Sequence, residues 1–369
     1  MSLDSFHVVP PVSHSRPSRI ALLGFGTVGA AVARRLTGPE AVRGLQLTHI
    51  VDRRADHKRA RFAPEGVVWA STLDEILEGD IDIVVEAIGG LEPATDWIRR
   101  ALTAGKSVVT ANKQVIARDG IALWTLAARH GRQLRFEAAV GGAMPIVRAI
   151  SDGLAGDRIT RIVGILNGTT NAVLSRMEAV GCSLDQALAD ARSRGYAEAD
   201  PSGDLDGDDA RAKLAILCAL AFGLRVDPLR ITARSAATIT GADVDRARRG
   251  GCSIRQLAHA EYDLATSTLD AWVAPIAVPR GSMFARTTGA QNAALITGVH
   301  AGDIGVFGAG AGGDATAVAI LGDLTAIAKD RAAIVPPPRL SSDFRLQPSD
   351  FQLLDFRQQT SDFSIAEAV

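Results

Sequence analysis

The sequence RIALLGFGTVG at residues 19–29 decides the fold of the first part of the chain. A short apolar strand, residues 19–23, runs directly into a G-x-G-x-x-G turn, and an alanine-rich helix over residues 27–36 follows. The first glycine permits the tight turn, the second lets a pyrophosphate approach the backbone, and the third allows close packing of helix on strand. We predict a dinucleotide at this helix start, held by Gly24, Phe25, Gly26, Thr27, Val28 and Gly29. The alternative is a glycine-rich turn with only a structural purpose.

Alternation of strands and helices continues beyond this turn. Further strands are predicted over residues 45–51, 81–86, 107–109 and 132–138, and helices over residues 93–104 and 120–129. Repeated strand–helix units form a parallel sheet with helices on both faces. The sequence therefore predicts an α/β fold that contains a Rossmann-type, doubly wound nucleotide-binding domain.

Candidate cofactor residues follow the predicted strands, because ligands of open parallel sheets bind at the carboxyl ends of strands. Asp52 stands where an acid would bind the adenosine ribose, whereas Arg53 and Arg54 could hold a 2′-phosphate, so the choice between NAD and NADP stays open. A charged surface turn is the competing interpretation. We also expect the cofactor to contact two residues that follow the strand at 81–86, Ile88 and Gly89.

Lys113 ends the sequence TANK at residues 110–113, directly after the strand at 107–109. Lys113 therefore lies at the carboxyl end of a parallel strand, where a catalytic group that also faces the cofactor is expected. A surface lysine at a helix start is the competing interpretation, although a helix N-terminus does not favour a cation.

The sequence GYAEADPSGDLDGDDARAK at residues 195–213 concentrates acidic residues just before a lysine. Pro and Gly break regular structure up to Gly207, and a helix with acids in its first turn follows. Asp209 and Lys213 are four residues apart, so they share a helix face and can pair. A solvated acidic loop is the plain alternative. The apolar run after Lys213 argues for burial, where an ammonium needs a partner.

Two glycine-rich segments carry further candidate residues. Glu137 precedes VGGAMP at residues 140–145, where an acid beside bare backbone carbonyls could hold a cation, or could simply be a satisfied acid at a strand end. The sequence GAGAGGD at residues 308–314 opens a long helix over residues 315–329. Gly310 could therefore face the cofactor, or the segment could be a flexible crossover between domains.

The remaining segments predict a second, smaller domain of the α+β class. A strand over residues 159–166 precedes NGTTN, which could line a polar pocket or cap the following helix. Residues 184–194 read as a helix, and residues 252–263 and 269–278 read as neighbouring strands of a second sheet.

Composition excludes several classes of function. The chain has 369 residues, of which 47% are hydrophobic and 22% charged, and its formal net charge is −1. This charge gives no reason to expect a nucleic acid or an anionic membrane as partner. No apolar run is long enough for a membrane span. The cysteines (Cys182, Cys218 and Cys252) lack metal-ligand spacing, and a reduced, cytoplasmic location is expected.

The motifs together resemble those of homoserine dehydrogenases. The resemblance covers about residues 18–330 and rests on GFGTVG at 24–29, TANK at 110–113, EAAVGGAMPI at 137–146, GILNGTTN at 164–171, GYAEADPSGDLDGDDARAKLAIL at 195–217 and GAGAGGDATA at 308–317. It implies interconversion of aspartate 4-semialdehyde and homoserine with NAD or NADP, in threonine and methionine biosynthesis. Two alternatives are an aldehyde dehydrogenase with a cysteine nucleophile, for which no cysteine is suitably placed, and a non-catalytic nucleotide sensor.

The resemblance also implies roles for individual residues. Lys213 and Lys113 match the pair that handles the proton at the substrate carbonyl, and Asp209 matches the partner of the catalytic lysine. Glu198 matches the acid that holds the substrate's amino group, and Asp204 matches another acid of the substrate site. Hydride arriving at an aldehyde carbon builds negative charge on oxygen, which a protonated lysine stabilises.

Family resemblance further implies a cation site and an oligomer. Glu137 and the carbonyls of Val140, Gly142 and Met144 match a structural monovalent-cation site, usually sodium. A homodimer or homotetramer joined through the sheet of the catalytic domain is expected. The chain departs from the family where RGSMF at residues 280–284 replaces a common His-Pro-Leu sequence. The residues after about 335 are too few for a feedback-binding ACT domain, so threonine feedback through such a domain is not expected.

The domain boundaries follow from this order of elements. Residues 1–17 are expected to be a flexible tail, and residues 18–150 with about 309–335 the NAD(P)-binding Rossmann domain. Residues 151–308 are expected to form the catalytic and dimerisation domain, and residues 336–369 a C-terminal tail.

Overall fold

The computed structural model describes residues 16–330, residue 333, residues 340–341 and residues 343–347. Nearly all of the two predicted tails, residues 1–17 and 336–369, therefore lies outside the described residues. Within the described part of the chain, no helix has the length and apolar character needed to cross a bilayer.

The first half of the chain forms a parallel sheet. Its strands are β1 (Ser18–Leu23), β2 (Leu45–Val51), β3 (Val68–Ala70), β4 (Ile83–Glu86), β5 (Ser107–Thr110) and β6 (Leu134–Arg135). The strand order is β3-β2-β1-β4-β5-β6, and every neighbouring pair is parallel. This is the doubly wound order in which ligands bind where the order reverses, between β1 and β4. The predicted doubly wound α/β fold is confirmed.

Helices cover both faces of this sheet. They are α1 (Thr27–Thr37), α2 (Ala55–Arg59), α3 (Leu73–Glu78), α4 (Ala94–Thr103) and α5 (Lys113–Arg129). Alternate residues of β1 point to opposite faces: Ile20 and Leu22 pack in the cluster that includes α1, whereas Ala21 and Leu23 pack in the cluster that includes α4 and α5. A strand buried on both faces reads as a continuous apolar run, which explains why β1 was predictable.

The second half of the chain adds mostly helices around a mixed sheet. The helices are α6 (Ile146–Arg148), which continues as a π-helical segment (Ala149–Gly153), α7 (Gly168–Val180), α8 (Leu184–Ser193), α9 (Ser202–Leu205), α10 (Asp208–Phe222), α11 (Gly241–Arg249), α12 (Met283–Arg286) and α13 (Gly313–Lys329). Short 3₁₀ turns occur at Glu137–Ala139, Pro228–Arg230 and Ala236–Thr238.

Antiparallel pairing dominates the second sheet. Its strands are β7 (Ile159–Ile165), β8 (Thr232–Ala233), β9 (Cys252–Asp263), β10 (Thr268–Pro279), β11 (Gln291–Gly298), β12 (Gly302–Ala309) and β13 (Arg345–Leu346). The order is β12-β11-β7-β9-β10-β13, and β8 also pairs with β10. The short strands β8 and β13 run parallel to β10, whereas the other pairs are antiparallel.

Two helices connect the layers. α10 is apolar from Leu214 to Cys218 and packs between α5 and β9, so one core cluster spans both sheets. α13 returns to the first sheet and packs against α1. Consequently the start of α10, which carries Lys213, lies close to the edge of the first sheet.

Two predicted elements have different bounds from those expected. The helix predicted over residues 120–129 begins at Lys113, because the Asn112 side chain accepts a hydrogen bond from Val115 N and caps it. The strand predicted over residues 132–138 is limited to Leu134–Arg135. Glu137 begins a 3₁₀ turn instead of ending a strand, and its N–H donates to Asp323 of α13.

Candidate active site

Two lysines from different parts of the chain share one carboxylate at the junction of the sheets. Lys213 Nζ lies 2.7 Å from Asp209 Oδ2, and Lys113 Nζ forms an ion pair with the other oxygen, Oδ1. The Asp209 side chain is 8% exposed and that of Lys213 11%, whereas that of Lys113 is 38% exposed. The predicted pairing of Asp209 with Lys213 is present, and Lys113 joins it from the start of α5.

The charged forms of Asp209 and Lys113 stabilise each other. Burial alone would raise the pKa of Asp209, but the ammonium groups of Lys213 and Lys113 outweigh burial and hold that pKa well below its usual range. Burial opposes the charge of Lys113, but Asp209, then Asp204 and Glu198, outweigh it and raise the pKa of Lys113. Asp209 is therefore an anion and Lys113 a cation at neutral pH.

The ammonium of Lys213 has a defined orientation. It donates to the carbonyl oxygen of Leu166 over 2.7 Å and pairs with Asp209 over 2.7 Å. A lysine ammonium has three N–H donors. Among the described residues no third acceptor is bound, so one N–H is available to a substrate oxygen.

Glu198 and Asp204 supply further negative charge to the same site. Glu198 lies in the exposed loop between α8 and α9, and its carboxylate accepts no hydrogen bond from another described residue. Asp204 lies in α9, and among the described residues its carboxylate accepts one hydrogen bond, from Asn167 Nδ2 over 2.7 Å. Both acids act electrostatically on Lys113, so the structure brings all five predicted catalytic and substrate residues together.

The glycine turn has the close contacts that its motif requires. Gly24 has a φ of +96°, and a Cβ there would lie 2.7 Å from the carbonyl oxygen of Ala87. A Cβ on Gly29 would lie 2.0 Å from the carbonyl oxygen of Gly24. By contrast, nothing lies within 4 Å of a Cβ built on Gly26, which precedes the first turn of α1. This open backbone can accommodate a pyrophosphate.

A cleft of about 450 Å³ extends from this turn along the ends of β1, β2 and β4. Its lining includes Gly24, Gly26, Asp52, Arg53, Arg54, Lys58, Ile88 and Gly89. The Asp52 carboxylate accepts hydrogen bonds from Phe25 N (2.8 Å) and Lys58 Nζ (2.6 Å) and also from Arg54 N. Burial would raise the pKa of Asp52, but Lys58 and the backbone donors lower it. The acid predicted to bind a ribose is thus anchored to the turn, and cations surround it.

Gly310 lies at the start of the segment that leads into α13. A Cβ on Gly310 would lie 2.2 Å from Oδ1 of Asn292, so only glycine fits against this buried amide. Asn292 Nδ2 donates to the carbonyl oxygen of Leu166 (3.3 Å), which also binds Lys213. Gly313 packs against Thr27, so α1 and α13 begin side by side. Gly310 therefore lies between the lysine pair and the glycine turn.

Glu137 is part of a buried cluster in which two acids lie beside one arginine. Its carboxylate accepts hydrogen bonds from Val147 N and Arg148 N, each over 2.9 Å. Asp323 accepts one from Glu137 N and pairs with Arg148 (2.8 Å), so one arginine serves two acids. Burial raises the pKa of Glu137 to about 7.

The predicted cation ligands lie on the segment that follows Glu137. In the described part of the chain no hydrogen bond engages the carbonyl oxygens of Val140 or Gly142, whereas that of Met144 accepts one from Ile146 N. Among the same residues no group of three or more His, Cys, Asp or Glu side chains could hold a metal ion.

Comparison with known proteins identifies the family. The family model for the NAD-binding domain of homoserine dehydrogenase matches residues 24–137, and the model for homoserine dehydrogenase matches residues 145–325. The chain is 39% identical over 312 residues to a homoserine dehydrogenase of Synechocystis sp., covering 83% of this chain and 72% of the relative. It is 38% identical over 340 residues to one of Mycobacterium tuberculosis, covering 88% and 76%.

The chain belongs to the homoserine dehydrogenase family.

Solved structures of homoserine dehydrogenases share its fold. The structure from Thiobacillus denitrificans superposes with a TM-score of 0.82 at 35% identity, covering 90% of this chain and 80% of that one. A hyperthermophilic archaeal homoserine dehydrogenase, solved in complex with NADPH, gives a TM-score of 0.71 at 26% identity, covering 88% and 100%. The chain is an NAD(P)-dependent oxidoreductase that acts on a small-molecule substrate.

Sequence reasoning missed two residues of this candidate site. Asn167 caps α7 through Oδ1, and its Nδ2 donates to both Asp204 (2.7 Å) and Asp209 (2.8 Å). The NGTTN motif had suggested either a pocket or a cap, and Asn167 provides a cap while bridging two acids. Lys58, which binds Asp52, lies six residues beyond it on the short helix α2, where no motif marks it.

Proposed function

We propose that this chain interconverts homoserine and aspartate 4-semialdehyde by hydride transfer, with Lys213 and Lys113 handling the proton at the substrate oxygen. The observation that carries this proposal is the buried Asp209 held between the two ammonium groups. The homoserine formed would supply threonine and methionine synthesis.

The lysines have complementary parts in this mechanism. When bound, the nicotinamide cofactor supplies or accepts the hydride at the substrate carbon. The free N–H of Lys213 donates to the aldehyde oxygen, stabilises the charge that develops there and delivers its proton as the alcohol forms. Asp209 keeps both lysines oriented, and Lys113, more exposed than Lys213, is the cation through which the proton can be replaced from solvent. In the oxidative direction the same groups act in reverse.

Lys113→Met is the experiment that tests this division. We expect kcat to fall about 100-fold, within the range for lost acid–base groups, while the affinity for cofactor changes little. The loss is no larger because Lys213 keeps its contacts with Asp209 and the Leu166 carbonyl. The readouts are steady-state kinetics and cofactor titration. A kcat equal to that of the wild type would remove Lys113 from the proton path.

We infer that Glu198 and Asp204 Oδ2, which accepts no hydrogen bond from a described residue, bind the substrate ammonium. Both carboxylates act electrostatically on Lys113, and Lys113 and Lys213 are already paired with Asp209. Homoserine carries an ammonium group that needs a carboxylate partner when the site loses water.

Glu198→Gln should raise KM for homoserine about tenfold and leave kcat within about threefold, because an ion pair made equally in ground and transition states contributes to uniform binding. Asp200→Asn is the matched control, since Asp200 lies in the same exposed loop and its carboxylate accepts a hydrogen bond from Ser202 N. Equal KM values for homoserine in the two variants would mean that Glu198 does not bind the substrate ammonium.

The cleft fits both NAD and NADP, and its charge favours NADP. Arg53, Arg54 and Lys58 line the cleft together with Asp52, and Asp52 is already bound by Lys58 and backbone N–H groups, whereas Glu92, another acid of the lining, pairs with Arg118. A 2′-phosphate there would meet the cations Arg53 and Arg54 beside an acid that is already paired. We infer a preference for NADP on this ground.

We also propose a monovalent cation, most suitably Na⁺, beside Glu137. The fit rests on the buried pair Glu137 and Asp323, which share Arg148 as their cation, and on the carbonyl oxygens of Val140 and Gly142. Glu137, Val140, Gly142 and Met144 would hold the ion. Its effect is structural, since it would join the end of the first sheet to α13.

Sodium should therefore stabilise the fold. At equal ionic strength, replacing tetramethylammonium chloride by sodium chloride should raise Tm by about 2 °C or more, as expected for a ligand that binds only the native state. In Glu137→Gln the two salts should give the same Tm. Equal Tm values in the wild type would contradict the site.

The family assignment supports different roles for two parts of the chain. We propose that residues 18–150 with about 309–335 bind the cofactor, and that residues 151–308 bind the substrate and form the contacts of a homodimer or homotetramer.

A further inference from the structure

Glu86 is a fully buried carboxylate at the point where the strand order reverses. It ends β4, pairing with Leu23 of β1 on one side and with Thr110 of β5 on the other. Its backbone therefore lies between the glycine turn and the segment that carries Lys113. Burying an acidic side chain at such a position is costly unless it is well hydrogen-bonded.

Three uncharged groups donate to this carboxylate. The N–H groups of Ile88 and Gly89 donate to Oε1 over 2.8 and 3.2 Å, and the hydroxyl of Thr110 donates to Oε2. An ionised carboxyl group is an acceptor only, and it can bind backbone N–H groups and a hydroxyl at the same time. The loop at residues 87–89, which lines the cofactor cleft, is thus held to the end of β4 from inside the protein.

The hydrogen bonds continue from Thr110 and close on themselves. Thr110 Oγ1 accepts from Asn112 N (3.0 Å), and Asn112 Nδ2 donates to the carbonyl oxygen of Gly90 (2.6 Å). Asn112 Oδ1 accepts from Val115 N and so caps α5, of which Lys113 is the first residue. We call this closed network the Glu86 ring; its members are Glu86, residues 88–90, Thr110 and Asn112.

We propose that Glu86 is a positioning residue for hydride transfer. Through the Glu86 ring it fixes the loop that lines the cofactor cleft relative to the helix start that presents Lys113. Gly89 and Gly90 both have positive φ, +80° and +74°, so without these bonds the loop can adopt many conformations. The inference rests on the proposed role of Lys113, because it is the geometry between that lysine and the bound cofactor that the ring sets.

Thr110→Val tests the ring most cleanly. Valine keeps the β-branched shape of a buried strand residue but removes the hydroxyl, which is the direct link between Glu86 and Asn112. Glu86 retains its bonds to Ile88 and Gly89. We expect kcat to fall tenfold or more, with little change in the Kd for NADPH, since misplacement of a reacting group mainly lowers the rate of the chemical step.

Substitutions of Glu86 separate geometry from charge. In Glu86→Gln the amide oxygen can accept from both N–H groups while its NH₂ donates to Thr110 Oγ1, so the ring is retained and kcat should stay within about fivefold of wild type. In Glu86→Ala the loop is released, so we expect the Kd for NADPH to rise about tenfold and kcat to fall about 100-fold.

Thr48→Val is the matched control. Thr48 is a buried threonine of β2 in the same sheet, and its hydroxyl donates to the carbonyl oxygen of Ile20, outside the ring. Measurements of kcat, KM for homoserine, Kd for NADPH and Tm on all four variants complete the test. A loss of Tm shared by Thr110→Val and Thr48→Val, with equal kcat, would make Thr110 merely structural and overturn the inference.

Failure of the underlying function gives a different result. If the wild type does not turn over homoserine, the proposed function is wrong, and if Lys113→Met retains full kcat, the proposed role of Lys113 is wrong. In both cases the Kd for NADPH still reports on the loop. If the wild type turns over and Lys113→Met does not, but Thr110→Val and Glu86→Ala both behave like the wild type, the positioning role of Glu86 is wrong.

Discussion

Lys213→Met is expected to lower kcat about 1,000-fold and to leave the Kd for NADPH unchanged. General acid catalysis contributes about 10²- to 10⁴-fold, and Lys213 also stabilises the charge on the substrate oxygen, which develops mainly in the transition state. Its Nζ contacts are Asp209 and the carbonyl of Leu166, so the glycine turn loses no contact. Stopped-flow absorbance and cofactor fluorescence measure the two quantities.

Two further variants make this result specific. Lys106→Met removes another lysine whose ammonium donates to a backbone carbonyl, that of Gly79. Lys106 precedes β5, at the opposite end of that strand from Lys113, so the variant should have the kcat of the wild type. Lys213→Ala should match Lys213→Met. If Kd for the cofactor rises in parallel with the loss of kcat, Lys213 has a structural role rather than a chemical one.

Asp209→Asn should produce the second largest loss, about 100-fold or more in kcat together with a lower stability. Asparagine preserves the shape but leaves two ammonium groups facing each other in a mostly buried site without their anion. Removing one partner of a buried ion pair typically costs about 3–5 kcal/mol, and less here because Lys113 is partly exposed. Denaturant unfolding and steady-state kinetics measure both effects.

The loss of stability in Asp209→Asn should depend on pH in a defined direction. Because the folded pKa of Asp209 lies below its unfolded value of about 3.9, its contribution is complete above about pH 5 and declines as the pH falls further. The gap in unfolding free energy between wild type and Asp209→Asn should therefore narrow below about pH 5. Asp208→Asn, one residue away and exposed, should change little at any pH. A gap that widens with acid would contradict the assignment.

Local patterns were sufficient to predict much of the fold. The strand before Gly24, the helix after it and the strands of the second sheet at 252–263 and near 269–278 all carry strong apolar or alternating patterns, and they were predicted to within about two residues. The pairing of Asp209 with Lys213 was also predictable, since it depends only on the four-residue spacing of a helix.

Contacts between distant residues account for what the sequence did not predict. Glu137 looked like the end of a strand because the apolar run continues, but its N–H is bound by Asp323, 186 residues further along. The helix that follows TANK was predicted to begin near residue 120, whereas the cap formed by Asn112 starts it at Lys113. The meeting of Lys113 with Asp209, 96 residues later in the chain, could be expected from the family resemblance but not from spacing.

Mixing the enzyme with homoserine and either NADP or NAD, while recording the absorbance of the reduced nicotinamide, tests the central claim most directly. The account predicts turnover, with a higher rate for NADP because Arg53, Arg54 and Lys58 surround Asp52. Cofactor binding without any reduction of nicotinamide by homoserine would contradict it and would favour a nucleotide-sensing protein built on the same fold.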